Sequence, residues 1–304
     1  MIKKYIILIL LIGFQSFGQE LKLFSANDFD LNGMVKTCTV ITNYGKEVFE
    51  FDEEGYLIKS ITAYNEEDQD VTIYKYGDGF LLEKRMESYK DNVLDEASSM
   101  ASFYEIDSSG QKIIKEKVIS YDKEFFEEQE YVFGEEDRVF KITTSHENAV
   151  DETRIEYNIF KDEITKTYFV NEVIEKSIRT STKTIAPNQE QKIVLIKEYV
   201  DGEQSKAIEK RFNAKGKLIY QELFLNDSSE DNFVSEEIHL FEYDAEGILK
   251  KEIIKKGNSV AEKEFIFQFD ANKNWVKKII TPENVYSTRK IEYYPKLEVI
   301  ETPE

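Results

Sequence analysis

Few side chains in this sequence have the type and spacing that catalysis requires. The chain contains two histidines, His146 and His239, and a single cysteine, Cys38. It contains no HExxH motif, paired CxxC, glycine-rich phosphate loop or GxSxG motif, which disfavours a zinc enzyme or a nucleotide enzyme. His239 lies two residues before Phe241 on a predicted strand, where a core or surface role is commoner than general-base catalysis. The sequence therefore predicts no catalytic, cofactor-binding or metal-binding residue, and no cofactor.

Cys38 belongs to the segment MVKTCTVIT, in which polar and apolar residues alternate as they do in a strand. The predicted role of Cys38 is that of a small buried hydrophobic side chain rather than a nucleophile. Because it is the only cysteine, no intramolecular disulfide can form, and stability must come from packing.

The acidic side chains leave one catalytic alternative open. Sixty carboxylates could include the acid and base pair of an envelope hydrolase. Four aspartates stand out, but turn chemistry already explains their spacing: Asp52, Asp107, Asp244 and Asp270. Trp275 and the many tyrosines could form a surface that binds sugars or peptides. Filling of the core by alternate residues is the simpler interpretation of these rings.

The composition limits the class of protein. The chain has 304 residues, 41% of them hydrophobic and 13% aromatic, which is enough to bury a sizeable core. Its 60 acidic and 40 basic residues give a formal charge of −20. This charge repels nucleic-acid backbones and anionic lipid surfaces, so the sequence predicts no nucleic-acid partner.

The first twenty residues, MIKKYIILILLIGFQSFGQE, have the three-part layout of a secretory signal. Lys3 and Lys4 precede an apolar run, and the small residues Ser16 and Gly18 precede a predicted cleavage point between Gly18 and Gln19. The run is about ten residues long, whereas a membrane-spanning helix needs roughly twenty. We therefore expect residues 1–18 to be a cleaved signal peptide, and the mature chain to be periplasmic, exposed at the cell surface or secreted, with no membrane-spanning segment.

A short phrase recurs along the rest of the chain: aromatic, any residue, aromatic, Asp or Asn, two residues, Gly, any residue, aliphatic. The clear copies cover residues 49–57, 211–218 and 241–249. Looser copies cover residues 74–81, 104–112, 131–139 and 267–275, and a decayed copy begins at Arg154. Most successive copies lie about 25 to 31 residues apart, and recurrence at such a period is typical of a repeat architecture.

The chemistry of one copy predicts a β-hairpin. Phe241 and Tyr243 share one face of an extended strand, while Glu242 points to the other face. Asp244 can bond the turn backbone, and Gly247 can take the positive φ that follows, which gives a hairpin with a bulge. The same acid or amide and glycine pair occurs as Asp52 and Gly55, Asp107 and Gly110, and Asn213 and Gly216.

Since a lone hairpin is marginal in water, these units must stack to be stable. The predicted fold is all-β: a meander of about seven to eight antiparallel β-hairpin repeats forming a strongly curved or superhelical sheet. Its aromatic face should point inward, and the sequence leaves open whether the sheet closes as a barrel, winds or divides in two. The predicted repeat domain covers residues 19–304. The polar stretch 179–192, which contains Pro187, is predicted to be a long loop or else a seam between two sub-arrays.

The recurring phrase, best seen in residues 49–57 and 241–249, resembles the YD repeat of RHS-type proteins. Residues 30–45 also resemble the strand that opens such hairpins in many exported bacterial proteins. RHS-type proteins use long arrays of these hairpins as hollow shells or surface scaffolds, often around a toxic cargo domain. The present chain is far shorter, shows no cargo domain, and lacks the glycine in the copies at Tyr131 and Phe267. The resemblance implies a small stand-alone array in the cell envelope.

The leading functional prediction is an exported, non-enzymatic repeat scaffold or binding module that contacts a protein, peptide or glycan through a curved β surface. The alternatives are a carboxylate-dependent envelope hydrolase and an accessory or immunity-like partner of a secreted effector. The third hypothesis comes only from the resemblance to RHS systems.

Overall fold

The computed structural model describes residues 23–186, 189–227 and 232–295. The predicted signal peptide, residues 1–18, lies outside these ranges. The described residues form two short 3₁₀ helices, Ala26–Phe29 and Glu135–Asp137, and twenty β-strands. The strands are β1 (Val35–Thr42), β2 (Gly45–Phe51), β3 (Leu57–Ala63), β4 (Gln69–Gly77), β5 (Phe80–Lys90), β6 (Val93–Asp107), β7 (Ile113–Ser120), β8 (Phe126–Phe133), β9 (Val139–His146), β10 (Val150–Phe160), β11 (Glu163–Val170), β12 (Val173–Ala186), β13 (Gln189–Val200), β14 (Glu203–Phe212), β15 (Leu218–Asp227), β16 (Asn232–Tyr243), β17 (Leu249–Lys256), β18 (Ser259–Phe269), β19 (Trp275–Thr281) and β20 (Val285–Tyr293).

The twenty strands of the described chain form one closed antiparallel sheet. Each strand pairs with its neighbours in sequence, and β20 pairs with β1, where Cys38 lies opposite Ile291. The all-β class is confirmed. The meander of seven to eight hairpins in a strongly curved or superhelical sheet is wrong, because the structure is a closed twenty-stranded barrel. Closure pairs the two edge strands that an open sheet would leave exposed.

The predicted long loop over residues 179–192 is also wrong. Strand β12 continues to Ala186 and β13 begins at Gln189, and the two strands pair with Thr180 opposite Val194. The β-branched residues of this stretch favour an extended chain, and they outweigh its polarity. This hairpin carries no copy of the recurring phrase, which is why the sequence predicted too few hairpins.

The turn chemistry of the phrase is confirmed in the hairpin of β16 and β17. The carboxylate Oδ1 of Asp244 accepts hydrogen bonds from the backbone N–H groups of Glu246, at 3.0 Å, and Ile248, at 2.8 Å. Gly247 has a φ of +83°, and its N–H donates to the carbonyl of Asp244 at 3.0 Å. The ladder shifts register next to Tyr243, which is the predicted bulge.

Other copies repeat this turn, and one of them does so without glycine. The same backbone bonds and positive φ are formed by Asp52 with Gly55 and by Asn213 with Gly216. Asp270 accepts the equivalent bonds although Lys273, with a φ of +64°, holds the position that glycine has elsewhere. The side-chain acceptor is thus retained where the glycine is lost.

Two glycines of the phrase provide a matched test of this turn. Gly247→Ala should lower the free energy of unfolding by about 1 kcal/mol, because a φ of +83° strains an L-residue. The added Cβ meets no atom within 4 Å, so the cost is conformational. Gly110 was predicted to share this conformation, but its φ lies outside the positive region and its surroundings are equally open. Gly110→Ala should therefore be neutral or slightly stabilising in urea unfolding, and equal losses at both sites would contradict this reasoning.

The second aromatic residue of several copies joins its hairpin to the preceding one. Three phenol hydroxyls donate to the carbonyl of the first residue in an earlier strand: Tyr76 to Leu57 at 2.6 Å, Tyr157 to Val139 at 2.9 Å, and Tyr243 to Leu218 at 2.7 Å. Each acceptor directly follows the turn of the preceding hairpin. These bonds hold adjacent turns together, which accounts for tyrosine at this position.

The aromatic face of the sheet is the inner face of the barrel. The ring of Phe24 lies 6.1 Å from that of Tyr74 on β4, while Asp30 acts electrostatically on Tyr243 of β16. Strands β4 and β16 are eight strand spacings apart, about 38 Å along the wall. Phe24 and Asp30 are six positions apart in the sequence, so the chain between them spans at most about 22 Å. Tyr74 and Tyr243 can both lie near this short segment only if their side chains point into the lumen.

Buried side chains form two clusters on this inner face. The first lies at the junction of the first and last strands and comprises Ala26, Leu31, Val35, Cys38, Val40, Phe51 and Leu57. The second lies on β7–β11 and comprises Ile114, Tyr131, Ile142, Ile155 and Tyr168. Cys38 is buried, as predicted, and burial raises the pKa of its thiol.

Candidate functional site

Residues 23–34, called here the N-terminal segment, cover the inner face around the junction of β20 and β1. The N–H of Leu57 donates to the carbonyl of Phe24 at 2.8 Å, and the N–H of Ala26 donates to the carbonyl of Gly55 at 2.9 Å. The ring of Phe29 packs 4.6 Å from that of Phe49. The segment therefore occupies one side of the lumen near the Asp-to-Gly turns.

Asn274 attaches this segment to the turn between β18 and β19. Its side chain is fully buried. Its Oδ1 accepts a hydrogen bond from the N–H of Asn32 at 2.7 Å, and its Nδ2 donates to the carbonyl of Asn32 at 2.8 Å. The same Nδ2 donates to the hydroxyl of Tyr293 at 2.7 Å. One amide thus connects three parts of the chain.

A buried cation lies beneath the N-terminal segment. The guanidinium of Arg289 stacks 3.8 Å from the ring centre of Trp275, and its Nη2 donates to the carbonyl of Phe29 at 3.2 Å. Its Nε and Nη1 are buried and have no hydrogen-bond partner among the described residues. Burial lowers the pKa of Arg289, and the charges of Asp30 and Glu47 act in the opposite direction. This cation contributes to the inner face without a direct ion pair in the described chain.

His239 is the centre of a charged cluster on the inner face of β16 and β17. Its Nδ1 lies 2.7 Å from Glu252 Oε1 and its Nε2 lies 2.7 Å from Glu237 Oε1. Lys263 approaches Glu252 to 3.7 Å, and Lys256 approaches Glu237 to 3.4 Å. The hydrogen bond to Glu252 is the main cause that raises the pKa of His239, and the bond to Glu237 acts in the same direction. Both bonds require donors, so the cluster favours the imidazolium.

This cluster makes stability depend on pH. Because the folded pKa of His239 is raised, its contribution is complete below the pKa of the unfolded chain, about 6.5, and is lost as the pH rises through the folded pKa. We expect the difference in unfolding free energy between the wild type and His239→Gln to shrink across that range. Removing both acceptors, with Glu237→Gln and Glu252→Gln, should return the NMR titration of His239 towards its ordinary range. An unchanged titration in that double variant would contradict the assigned cause.

Two tyrosines share a carboxylate on the opposite wall. The hydroxyl of Tyr104 donates to Glu116 Oε1 at 2.8 Å, and that of Tyr131 lies 3.2 Å from Glu116 Oε2. Burial is the largest cause that raises the pKa of both phenols, and the charge of Glu116 adds to it. Both phenols therefore remain protonated donors, and the lumen is lined by ordered polar groups as well as by rings.

Two open cavities flank the wall between β10 and β15. A groove of about 590 Å³ on the outer face includes Glu156, Glu163, Thr165 and Arg179 in its lining. A cavity of about 390 Å³ on the inner face includes Thr182, Lys192, Phe212 and Asn213. The inner cavity lies beside the turn that follows β14.

The structure assigns turn roles to the aspartates that stood out in the sequence, and it places His146 apart from His239. His146 ends β9, with its Nδ1 3.3 Å from Glu127 Oε2. Sequence reasoning missed Arg289, Asn274 and the inner-face lysines. The two-residue alternation along the strands could have indicated which face these side chains occupy. Arg289 alternates with Ile291 and Tyr293 on one face of its strand, and His239 alternates with Phe241 and Tyr243 on one face of its strand.

Within the described ranges, no three or more His, Cys, Asp or Glu side chains are grouped so as to hold a metal ion. The same residues include no helix with the length and apolar character of a membrane span.

Comparisons with known proteins give weak structural likenesses. No protein-family model and no curated protein matches the sequence. A porin-like protein from Bacteroides vulgatus ATCC 8482 is 11% identical, with a TM-score of 0.25, over 86% of this chain and 98% of that chain. The TcdB2-TccC3 structure is 10% identical, with a TM-score of 0.25, over 82% of this chain and 17% of that chain. A Tc holotoxin pore structure from Photorhabdus luminescens is 9% identical, with a TM-score of 0.18, over 80% of this chain and 18% of that chain.

Proposed function

We propose that this protein is an exported, non-enzymatic binding module of the cell envelope whose ligand binds on the inner face of the barrel. The observation that carries the proposal is the closed sheet. In the described chain, every strand has a paired neighbour on both sides. An extended partner therefore has no free strand edge to join, and recognition depends on side chains.

The inner face supplies suitable side chains. It presents aromatic rings, phenol hydroxyls held by Glu116, and the charged cluster around His239. Barrels with sixteen or more strands leave an interior wider than their own side chains can fill. Rings with polar groups beside them suit the recognition of sugars and peptides. A ligand in the lumen would meet these groups on several strands at once.

The predicted signal peptide supports export, and the recurring phrase supports a YD-like repeat as the origin of the wall. These two features favour a role in the envelope over one in the cytoplasm. The proposed ligand is an envelope component, taken from the same compartment as the mature chain.

The test uses two neighbouring residues on opposite faces of β12. Thr180 points into the lumen and Ser181 points outward, and both are half-buried. We expect Thr180→Cys, but not Ser181→Cys, to be protected from maleimide labelling when the mature chain, residues 19–304, is mixed with envelope oligosaccharides or peptides. Cys38 is buried and serves as an unreactive background. The proposal would be overturned if no envelope oligosaccharide or peptide changed the rate of maleimide labelling of either variant.

A further inference from the structure

A wall of lysines lines the inner face of β11–β14. It consists of Lys166, Lys176, Lys192, Lys206 and Lys210, called here the lysine wall. The register places these residues in phase with Ile178 and Tyr168, which belong to or pack against the buried inner cluster. The five amino groups therefore project to the same side of the sheet.

Acidic residues neutralise only part of this wall. Glu198 lies opposite both Lys176 and Lys206, and Lys206 Nζ is 2.8 Å from its carboxylate. Glu190 is the other acidic residue at an inner position of these four strands. Lys192 and Lys210 have no ion pair within 4.0 Å among the described residues. Lys192 and Lys210 therefore form a local excess of positive charge on the inner face, whereas the whole chain carries a formal charge of −20.

Like charges are crowded around Lys176, which lies near both Lys166 and Lys206. Burial lowers the pKa of Lys176, and the neighbouring charges of Lys166 and Lys206 lower it further, against the effect of Glu198. An added anion would relieve this repulsion. An anionic ligand would therefore be stabilised by the charges of this wall.

The wall is long and has aromatic surfaces beside it. Lys192 and Glu198 occupy inner positions six residues apart on β13, about 20 Å along the strand. Phe212 lies opposite Lys192, and both line the inner cavity of about 390 Å³ together with Glu190. Lys166 lies 5.3 Å from the ring centre of Tyr168 and 5.6 Å from that of Tyr157. The wall therefore has a lysine beside an aromatic ring at each end. This arrangement matches a linear polymer of anionic, ring-shaped units.

We propose that the lysine wall binds an acidic glycan, a chain of uronate sugars whose carboxylates meet the lysines and whose rings pack beside Phe212 and Tyr168. This inference rests on the proposed function and specifies its ligand. A glycan is favoured over an acidic peptide because the closed sheet offers no strand edge for main-chain hydrogen bonds.

The experiment measures binding of the mature chain to oligogalacturonate by isothermal titration calorimetry. A neutral oligosaccharide and an oligoglutamate of equal length are the comparison ligands. The test variant combines Lys176→Gln, Lys192→Gln and Lys210→Gln. The matched control combines Lys183→Gln, Lys255→Gln and Lys277→Gln, which remove the same charge from outward-facing positions. Thermal unfolding of both triple variants verifies that they fold.

We expect the inner variant to bind oligogalacturonate at least about thirtyfold more weakly, and the outer variant to bind within about threefold of the wild type. Raising the salt from about 50 to about 500 mM should weaken wild-type binding about tenfold or more. Equal losses in the two variants, or tighter binding of oligoglutamate, would overturn the inference. Preferred binding of the neutral oligosaccharide, with Thr180→Cys protected, would overturn it while leaving the proposed function in place.

Discussion

Phe51→Ala is expected to lower the free energy of unfolding by about 3 to 5 kcal/mol. Phe51 is 1% exposed and packs in the first inner cluster, with the ring of Phe29 at 5.7 Å. Truncation would leave a cavity between the sheet and the N-terminal segment. To fill this cavity, the sheet and the segment would have to move towards each other. Equilibrium unfolding in guanidinium chloride measures the loss.

Phe269 provides the matched control. It occupies the same position of the recurring phrase in β18, but 41% of its surface is exposed. Phe269→Ala should cost about 1 kcal/mol, because little apolar surface is removed from water there. If the two variants lost equal stability, the N-terminal segment would not be what buries Phe51.

Asn274→Ala is the second large expected effect, about 2 to 3 kcal/mol of unfolding free energy. The change removes the partner of the Asn32 N–H and carbonyl, and it removes one of two partners of the Tyr293 hydroxyl, which still donates to Asp270. Each buried polar group left unpaired costs about 1 to 3 kcal/mol, and because Asn32 is an exposed residue, water recovers some of this. The loss should be accompanied by faster hydrogen exchange at the N–H of Asn32.

Lys217→Ala is the control for this position. Lys217 occupies the same place in its turn, with its N–H bonded to Asn213 at 3.0 Å, but its side chain is exposed. A near-neutral effect is expected, because the backbone bond survives the substitution. A comparable loss at Lys217 would show that the turn position itself, rather than the attachment of the segment, sets the cost.

The local parts of this fold could be predicted because each is encoded within about nine residues. Phe241, Tyr243, Asp244 and Gly247 specify a strand, a face and a turn without help from the rest of the chain. Closure could not be predicted in this way. It depends on the number of strands and on the contact of β1 with β20, and β12 and β13 form their hairpin with no copy of the phrase.

The candidate site was less predictable than the fold. Lys192, Lys210 and Arg289 alternate in phase with apolar neighbours, so their common face could be read from the sequence. Their proximity could not, because it arises from the register of strands that close the barrel. The contact between Phe29 and Arg289 could not be predicted from the sequence either, since the two residues are distant in sequence and share no motif.

The pairing of Cys38 with Ile291 has a consequence for how the molecule is made. The barrel cannot close until residues near 293 are available for pairing, so β1 must wait for a partner strand over two hundred residues away in the sequence. Contacts of such wide sequence separation slow folding, and two unsealed margins invite association with other chains in the meantime. A chaperone or rapid assembly would be most useful to this protein during that interval.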